Sequence, residues 1–381
     1  MPAISVLIKP ASGLCNMQCN YCFYCDETKK REQADYGLMS EKTLKNIIRK
    51  TMMNAEGMVS YAWQGGEPTL RGVSFFEKAV EYQKHYNRKN LRVQNALQTN
   101  GLMIDETWCR FLSENHFLVG VSVDGTMETH DCYRHDKKGR GTYERIRKTI
   151  RLLDQYKVEY NILTVVNKKT AEKIPEIYRE YRKNGWNFQQ YIACLDPLEE
   201  EHGKKTYALT PEAYGTFLIR LFDLWYEDYQ KGIQPYIRRF ENYIGILLGY
   251  APESCEQRGK CGIQYVVEAD GSVYPCDFYV LDKYCLGNFN TDKMAEFDQE
   301  REKIGFVKES LQLKKYCEDC KYVRLCKGGC RRHWDVNPES GVHENYFCES
   351  YKIFFEQRGE KMQKIARRLE RRYEKVPRSK Y

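Results

Sequence analysis

The chain has 381 residues, a formal charge of +8, 42% hydrophobic residues and 16 cysteines. That length supports two domains, or three, with a substantial core, and no run approaches the roughly 18–20 apolar residues that cross a bilayer, which excludes a helical membrane span. The first residues lack a basic segment followed by an apolar one, so no secretory leader and a cytoplasmic location are expected; in a reducing compartment, 16 cysteines point to metal ligation rather than disulfides.

From residue 4 to about 195, short β-rich runs alternate with longer helical patterns, as in βα units around a parallel sheet. Strands are expected at Ser5–Lys9, Val59–Gln64, Leu91–Thr99, Leu118–Asp124, Glu159–Val166 and Phe188–Ile192. Helices are expected near Glu41–Met53, Phe75–Tyr86, Glu106–Asn115, Tyr143–Tyr156 and Ala171–Lys183, with Ser40 as an N-cap and Glu41 set against the helix dipole. Six strands with parallel crossovers make an open sheet or a partial barrel, and both put their working loops at the strands' C-terminal ends. Residues 211–250 read as a helical connecting segment, with Pro211 at a helix start and Phe217, Leu218, Leu221, Phe222, Leu224 and Trp225 on one face. From Cys255 to Cys348, nine cysteines lie in 94 residues with little periodicity, the composition of a region held together by metal. The tail from Arg358 to Lys380 gathers Arg367, Arg368, Arg371, Arg372, Lys375, Arg378 and Lys380; it reads as the solvated face of a basic helix, with no nucleic-acid partner expected.

The loops after the strands carry the chemistry. Cys15-x3-Cys19-x2-Cys22 follows the first strand, Gly65-Gly66-Glu67-Pro68 the second, Asn100-Gly101 the third and Asp124-Gly125 the fourth. Three cysteines in so tight a run can hold one corner of an iron–sulfur cubane and leave one iron open. A zinc site completed by Cys25 or a histidine is the alternative. Taken singly, a Gly-Gly-Glu-Pro turn, a strand hydroxyl at Ser122 and an apolar Leu195 have bland readings. Downstream, Cys255-x5-Cys261 leads to Cys276, and Cys317-x2-Cys320-x5-Cys326-x3-Cys330 leads to Cys348. These eight thiols suffice for two fully ligated clusters, or for a pair of zinc ribbons, because Cys317-x2-Cys320 is also a zinc-knuckle spacing.

With Tyr21 before its last cysteine, the first cysteine run resembles the defining motif of the radical S-adenosylmethionine (SAM) superfamily, and Gly65-Gly66-Glu67 resembles its GGE motif. The resemblance implies an α/β chain: a partial (β/α)6 TIM-type barrel over 1–200, the helical connector over 201–250, a cysteine-rich SPASM iron–sulfur domain over 251–350, and a C-terminal basic helix over 351–381. It implies a [4Fe–4S] cluster on Cys15, Cys19 and Cys22 whose open iron chelates SAM, and reductive cleavage of SAM to a 5′-deoxyadenosyl radical. The SAM contacts it implies are Tyr21, Gly65, Gly66, Glu67, Ser122, Asp124, Arg134 and Leu195. The later cysteines resemble the SPASM extension, which implies two auxiliary [4Fe–4S] clusters, one on Cys255, Cys261, Cys276 and Cys330 and one on Cys317, Cys320, Cys326 and Cys348. That brings the expected total to three clusters and leaves Cys25, Cys109, Cys132, Cys194 and Cys285 as core or surface residues.

In Tyr274-Pro275-Cys276-Asp277-Phe278-Tyr279-Val280, as in Leu7-Ile8-Lys9-Pro10, Gln64-Gly65-Gly66-Glu67-Pro68-Thr69 and Leu325-Cys326-Lys327-Gly328-Gly329-Cys330, the resemblance narrows to anaerobic sulfatase-maturating enzymes, from residue 2 to about 355. It implies oxidation of a cysteine or serine in a sulfatase polypeptide to Cα-formylglycine. Asp277 would be the proton acceptor, Tyr24 and Gln64 would lie near the substrate, and the auxiliary clusters would accept an electron. A flavodoxin or ferredoxin donor and a monomeric state go with it. By itself Asp277 also reads as a turn aspartate. Two other functions fit less of the chain. A SPASM maturase that builds a thioether or other crosslink in a ribosomal peptide often carries an N-terminal recognition domain, and the first strand here begins at about residue 4. A non-catalytic iron–sulfur or zinc protein does not explain a triple-cysteine loop followed by glycine-rich turns after successive strands.

Overall fold

The first expected strand forms at Ile4–Ile8 (β1), buried at four of its five positions, as a strand covered on both faces requires. In this computed structural model, which describes residues 3–311, 315–336 and 343–374, β1 is followed by β2 (Met17–Cys19), α1 (Phe23–Lys29), α2 (Glu41–Asn54), β3 (Met58–Trp63) and α3 (Val73–Tyr86). Next come β4 (Arg92–Thr99), α4 (Glu106–Glu114), β5 (Leu118–Ser122), the single-turn α5 (Met127–His130), β6 (Arg134–Asp136), α6 (Tyr143–Gln155) and β7 (Tyr160–Val166). Side-chain caps fix two of the helix starts: Ser40 Oγ accepts the Thr43 N–H at 3.1 Å and Asp105 Oδ1 accepts that of Trp108 at 2.9 Å, each satisfying an orphan donor.

The chain continues through α7 (Lys168–Glu172), α8 (Ile174–Lys183), β8 (Phe188–Ala193), α9 (Pro211–Lys231), β9 (Tyr236–Ile237) and α10 (Arg238–Leu247). Two expectations change here. The helix expected over 171–183 is interrupted at Lys173, because Pro175 in the first turn of α8 has no N–H with which to extend α7. The stretch 211–250 is two helices, since Gly232 at φ 76° ends α9 and the short β9 intervenes. Beyond lie β10 (Tyr265–Val267), β11 (Ser272–Tyr274), β12 (Gly287–Asn288), α11 (Met294–Ile304) and a final helix, Cys348–Glu374. Of the expected basic tail, Lys375, Arg378, Lys380 and the side chain of Arg372 lie outside the described residues.

Two compact units result: Met1–Thr164 with Asp196–Glu200 and Ile263–Lys308, and Val165–Leu195 with Glu201–Gly262 and Glu309–Tyr381. In the first, strand order is β12-β11-β10-β1-β3-β4-β5-β7. The run from β10 to β7 is parallel throughout, while β10–β11 and β11–β12 are antiparallel. Residues 263–308 thus join the first unit through sheet pairing and a buried cluster of Leu7, Val266, Tyr274 and Val280. The chain is of the expected α/β class, with a mostly parallel sheet. An aromatic core, in which Trp63 meets Phe75 and Phe76, and Phe76 meets Trp108 and Phe117, backs the sheet; such rings bury roughly 150–250 Å² each.

In the second unit β8 pairs in parallel with β9, and α9 lies along the final helix through Phe222–Phe354 and Tyr214–Tyr351 contacts and an Arg358–Asp223 pair at 2.6 Å. The expected apolar face of α9 is buried at Phe217, Leu218, Leu221, Phe222 and Trp225. Among the described residues no helix is long and apolar enough to cross a membrane.

Candidate functional site

Because β10, β1 and β3 are neighbours running the same way, the residues just past their C-terminal ends, Glu268, Lys9 and Gln64, stand in a row. Lys9 N donates to Val267 O at 2.8 Å and Gln64 N to Ile8 O at 3.0 Å, so the row is held by backbone. The Thr99-Asn100 turn follows β4, and half-buried Ser122 ends β5. This is the edge at which parallel α/β sheets place their sites.

The cysteine loop lies at the same edge. Its β2 pairs with β6 so that Cys19 stands opposite Arg134. The sulfurs receive hydrogen bonds from protein donors: Met17 N to Cys15 Sγ at 3.4 Å, Asn100 Nδ2 to Cys15 Sγ at 3.6 Å and Arg134 Nη1 to Cys19 Sγ at 3.9 Å. Burial pushes the Cys15 thiol up to about 11 and the Cys19 thiol up to about 12, the latter against the pull of Arg134. Cys22 goes the other way, to about 6, chiefly because the Cys25 thiol donates to it. Two buried thiols that resist ionisation, inside a shell of N–H donors, fit a metal centre that would hold them as thiolates. Among the described residues no three His, Cys, Asp or Glu side chains converge as they would on a single ion. A polynuclear cluster sets its thiolates farther apart than one ion does, so the two observations are compatible.

Around the loop, three expected SAM residues form one buried group. The Tyr21 hydroxyl donates to Asp124 Oδ2, Arg134 Nε donates to the same oxygen at 2.9 Å, and the guanidinium lies 5.5 Å from the Tyr21 ring centroid. His130 holds the Asp124 backbone, its Nδ1 accepting the Asp124 N–H at 3.1 Å; burial drives this imidazole down to about 3, so it stays neutral. Glu67 is fully used inside the fold. Its Oε1 accepts from Thr69 N, Thr69 Oγ1 and Thr99 Oγ1 at 3.0, 2.5 and 2.8 Å, and its Oε2 from Asn100 N at 2.7 Å. Gly66 stands at φ +53°, and a Cβ there would come within 2.2 Å of Leu14 O; only glycine lets this turn lie against the cysteine loop.

Asp277 sits 6% exposed between the two side chains expected near substrate. Tyr24 Oη and Gln64 Nε2 each donate to Asp277 Oδ2 at 2.7 Å, and Gln64 Nε2 also reaches Tyr24 Oη at 3.1 Å. The other carboxylate oxygen, Oδ1, is buried and has no hydrogen-bond partner among the described residues. Burial raises the Asp277 carboxyl above the usual carboxylate range, while Lys9 and the bonds from Tyr24 and Gln64 pull it back. Behind the trio lies a charge network absent from the sequence reading. Lys9 Nζ pairs with Glu268 at 2.7 Å and with Glu27 at 3.5 Å, and Arg31 pairs with Glu268 at 2.7 Å. Burial tends to lower the Lys9 ammonium, but Glu268, Glu27 and Asp277 together more than offset it and the net shift is upward. Burial alone would also raise Glu268, yet Lys9 and Arg31 draw it down to about 2; burial wins at Glu27, which rises to about 8. The signals that could have pointed here are a lysine at the end of an apolar strand and a glutamate one helical turn after Tyr24.

In the second unit the thiols gather in two groups. Cys326 is close enough to Cys348, Cys317 and Cys320 for their charges to act on it. Cys330 is similarly influenced by Cys255 and Cys261, and its Sγ accepts the Arg332 N–H at 3.4 Å. Cys276, next to Asp277, belongs to the first unit, and Leu195, buried after β8, to the second. Of the cysteines given no ligand role, Cys109 and Cys194 are buried, Cys285 is intermediate, and Cys25 and Cys132 are exposed. Cys25 departs from a purely bland reading by its bond to Cys22.

Residues 10–181 match the radical SAM superfamily and residues 259–321 an iron–sulfur cluster-binding domain of the SPASM type. The chain is 47% identical over 356 residues to the cysteine-type anaerobic sulfatase-maturating enzyme of Clostridium perfringens, covering 93% of this chain and 96% of that protein. It is 44% identical over 369 residues to the enzyme of the same description from Clostridium novyi, covering 97% and 99%. A solved structure described as native anSMEcpe with bound AdoMet and the Cp18Cys peptide superposes with a TM-score of 0.91 at 46% identity, covering 97% of this chain and 100% of that one.

Proposed function

Since the chain belongs to the anaerobic sulfatase-maturating enzymes of the radical SAM superfamily, we propose that it oxidises a cysteine of a sulfatase polypeptide to Cα-formylglycine, with Asp277 taking the thiol proton. It is an enzyme that works with SAM and iron–sulfur chemistry on a sulfatase peptide. The cysteine-type description shared by both relatives supports cysteine over serine as the residue oxidised.

The observation that carries the role of Asp277 is its division into two unlike oxygens. Oδ2 receives two donors, whereas Oδ1 is buried with none. An unsatisfied buried acceptor costs about 1–3 kcal/mol, which a substrate thiol donating to Oδ1 would relieve. A carboxylate placed within hydrogen-bond reach of the proton it removes is what general-base catalysis requires. Tyr24 and Gln64 fix the carboxylate plane, and burial makes Asp277 a stronger base than an exposed aspartate.

The residues that would hold the radical-generating group are Cys15, Cys19 and Cys22, with Tyr21, Asp124, Arg134, Ser122, Gly65, Gly66 and Leu195 proposed at SAM; when bound, that pair supplies the hydrogen-atom abstraction the substrate Cβ needs. The substrate loses one hydrogen atom from Cβ, one proton from sulfur and one electron, becoming a thioaldehyde. Water then replaces sulfur and releases sulfide. Cys255, Cys261, Cys276 and Cys330, and Cys317, Cys320, Cys326 and Cys348, would hold two auxiliary clusters, which when bound would supply an acceptor for that electron. A flavodoxin- or ferredoxin-class protein is the proposed donor for the priming electron.

The test is anaerobic incubation of iron-reconstituted enzyme, SAM and a chemical reductant with a sulfatase-motif peptide in cysteine and serine forms, followed by mass spectrometry and aldehyde trapping. Aldehyde from the cysteine peptide is expected. A crosslinked product, or SAM cleavage without aldehyde, would overturn the proposal.

A further inference from the structure

We propose that Lys9 is a positioning residue for Asp277, the buried cation that locks the helix bearing Tyr24 to the chain segment bearing Asp277, and that Gly65 leaves the room through which Lys9 passes. The inference rests on Asp277 being the base.

Lys9 is 0% exposed, with its ammonium 2.7 Å from Glu268, 3.5 Å from Glu27 and 4.9 Å from the Tyr24 ring centroid. The two acidic side chains, Glu268 as a carboxylate and Glu27 as a hydrogen-bond acceptor for Lys9 and Val280, hold the flanks of the segment that carries the base. Glu268 closes β10 ahead of Asp277, and a second cation, Arg31 at 2.7 Å, reinforces it. Glu27 accepts the N–H of Val280, just beyond Asp277, at 2.9 Å. Glu27 is also three residues after Tyr24 in α1 and so on the same helix face. One ammonium therefore ties both ends of 268–280 to the helix whose tyrosine holds the Asp277 carboxylate. A buried lysine keeps its charge only while such partners surround it, so removing it loosens all three attachments together.

Gly65 supplies the room. It stands at φ +88°, and a Cβ there would lie 2.5, 2.7 and 2.9 Å from Cγ, Cε and Cβ of Lys9. Three atoms of one side chain form that wall, and the ammonium beyond them is pinned at Glu268 and Glu27, so Lys9 cannot swing aside. The first glycine of the Gly-Gly-Glu-Pro turn thus has a use inside this chain, separate from any contact with SAM.

The test is the ratio of 5′-deoxyadenosine formed to formylglycine formed, measured with reconstituted full-length enzyme and a cysteine-type peptide. For Lys9→Met with wild-type iron content, the ratio is expected to rise about tenfold or more, because a displaced base uncouples hydrogen abstraction from product. A ratio equal to that of the wild type would overturn the proposal. Should Lys9→Met fail to accumulate as folded protein, Glu27→Ala, which keeps the Lys9–Glu268 pair but removes the Lys9–Glu27 contact and the acceptor for the Val280 N–H, is expected to raise the ratio about threefold; no change would again overturn it. Gly65→Ala, strained in both backgrounds by its φ of +88°, is expected to uncouple the wild type more than it uncouples Lys9→Ala, where the two closest clashing atoms, Cγ and Cε, are gone. Equal effects in both backgrounds would remove Gly65 from the argument. Wild-type enzyme that makes no formylglycine at all would sink the functional reading itself, a different result from any of these.

Discussion

Replacing Tyr24 with Phe removes one of the two hydrogen bonds that Asp277 Oδ2 receives, the 2.7 Å contact from the phenol, and leaves the Gln64 bond in place. The phenol is a neutral donor throughout the working range, because burial pushes its own ionisation well above the ordinary tyrosine value. Its bond favours the carboxylate over the carboxyl, opposing the upward push of burial on Asp277. Hydrogen bonds to charged groups are worth about 1.5–3 kcal/mol, and about 1.4 kcal/mol corresponds to one pKa unit. Tyr24→Phe should therefore push the Asp277 carboxyl further up, and never lower it. The assay is the initial rate of formylglycine formation across about pH 5.5–9, with saturating SAM and peptide. The acid limb should move to higher pH, with a loss of about tenfold or more below it, from a bond worth about 1.5–3 kcal/mol, and a smaller loss on the plateau. An acid limb that stays in place, or moves to lower pH, would refute the assignment of Asp277 as the base held by Tyr24.

Asp277→Asn should keep SAM cleavage while formylglycine yield falls by about 10²-fold or more, the range typical of a lost general base; normal yield would take Asp277 out of the chemistry. Cys15→Ala, Cys19→Ala or Cys22→Ala should each abolish peptide-dependent 5′-deoxyadenosine production, and chromatographic detection of that product from any of them would contradict the ligand assignment. Glu27 should make the fold less stable as pH rises. Its folded value near 8 lies above the unfolded 4.5, so its contribution is complete below about pH 4.5 and decays through pH 8, by at most about 4–5 kcal/mol. Glu27→Gln should flatten urea midpoints between about pH 5 and 8, and parallel curves for mutant and wild type would count against a buried proton on Glu27.

The strand-and-loop grammar of the first 190 residues was legible because β1, β3, β4, β5, β7 and β8 each run five to eight residues and the first four of them are followed by turns of unusual composition; the three-residue β2 and β6 gave no such signal. Ser40 and Pro211 marked helix starts for chemical reasons that hold locally. The placement of 263–308 was not legible. Strands of two or three residues, such as β10, β11 and β12, are too short to show alternation, and β1, the partner of β10, lies more than 250 residues away in sequence. Asp277, Tyr24 and Gln64 could be named through the family resemblance, yet their meeting at one carboxylate oxygen, and the support behind it, could not. Lys9, Glu27, Arg31 and Glu268 look like ordinary surface charges until the fold buries them together, and nothing in composition distinguishes a buried Glu27 from the exposed Glu32. Helix breaks at Lys173 and Gly232 were each signalled by a proline or a glycine that an apolar pattern overrode.

The parallel pairing of β1 with β10 has a consequence for how the molecule is made. The ribosome releases Cys15, Cys19 and Cys22 first, and Asp277, on the segment that β10 anchors, more than 250 residues later. Such distant pairing is slow to form. Until β10 has been made and paired with β1, Asp277 has no seat beside Tyr24 and Gln64, so the cysteine loop and the proposed base come together late in the making of the chain.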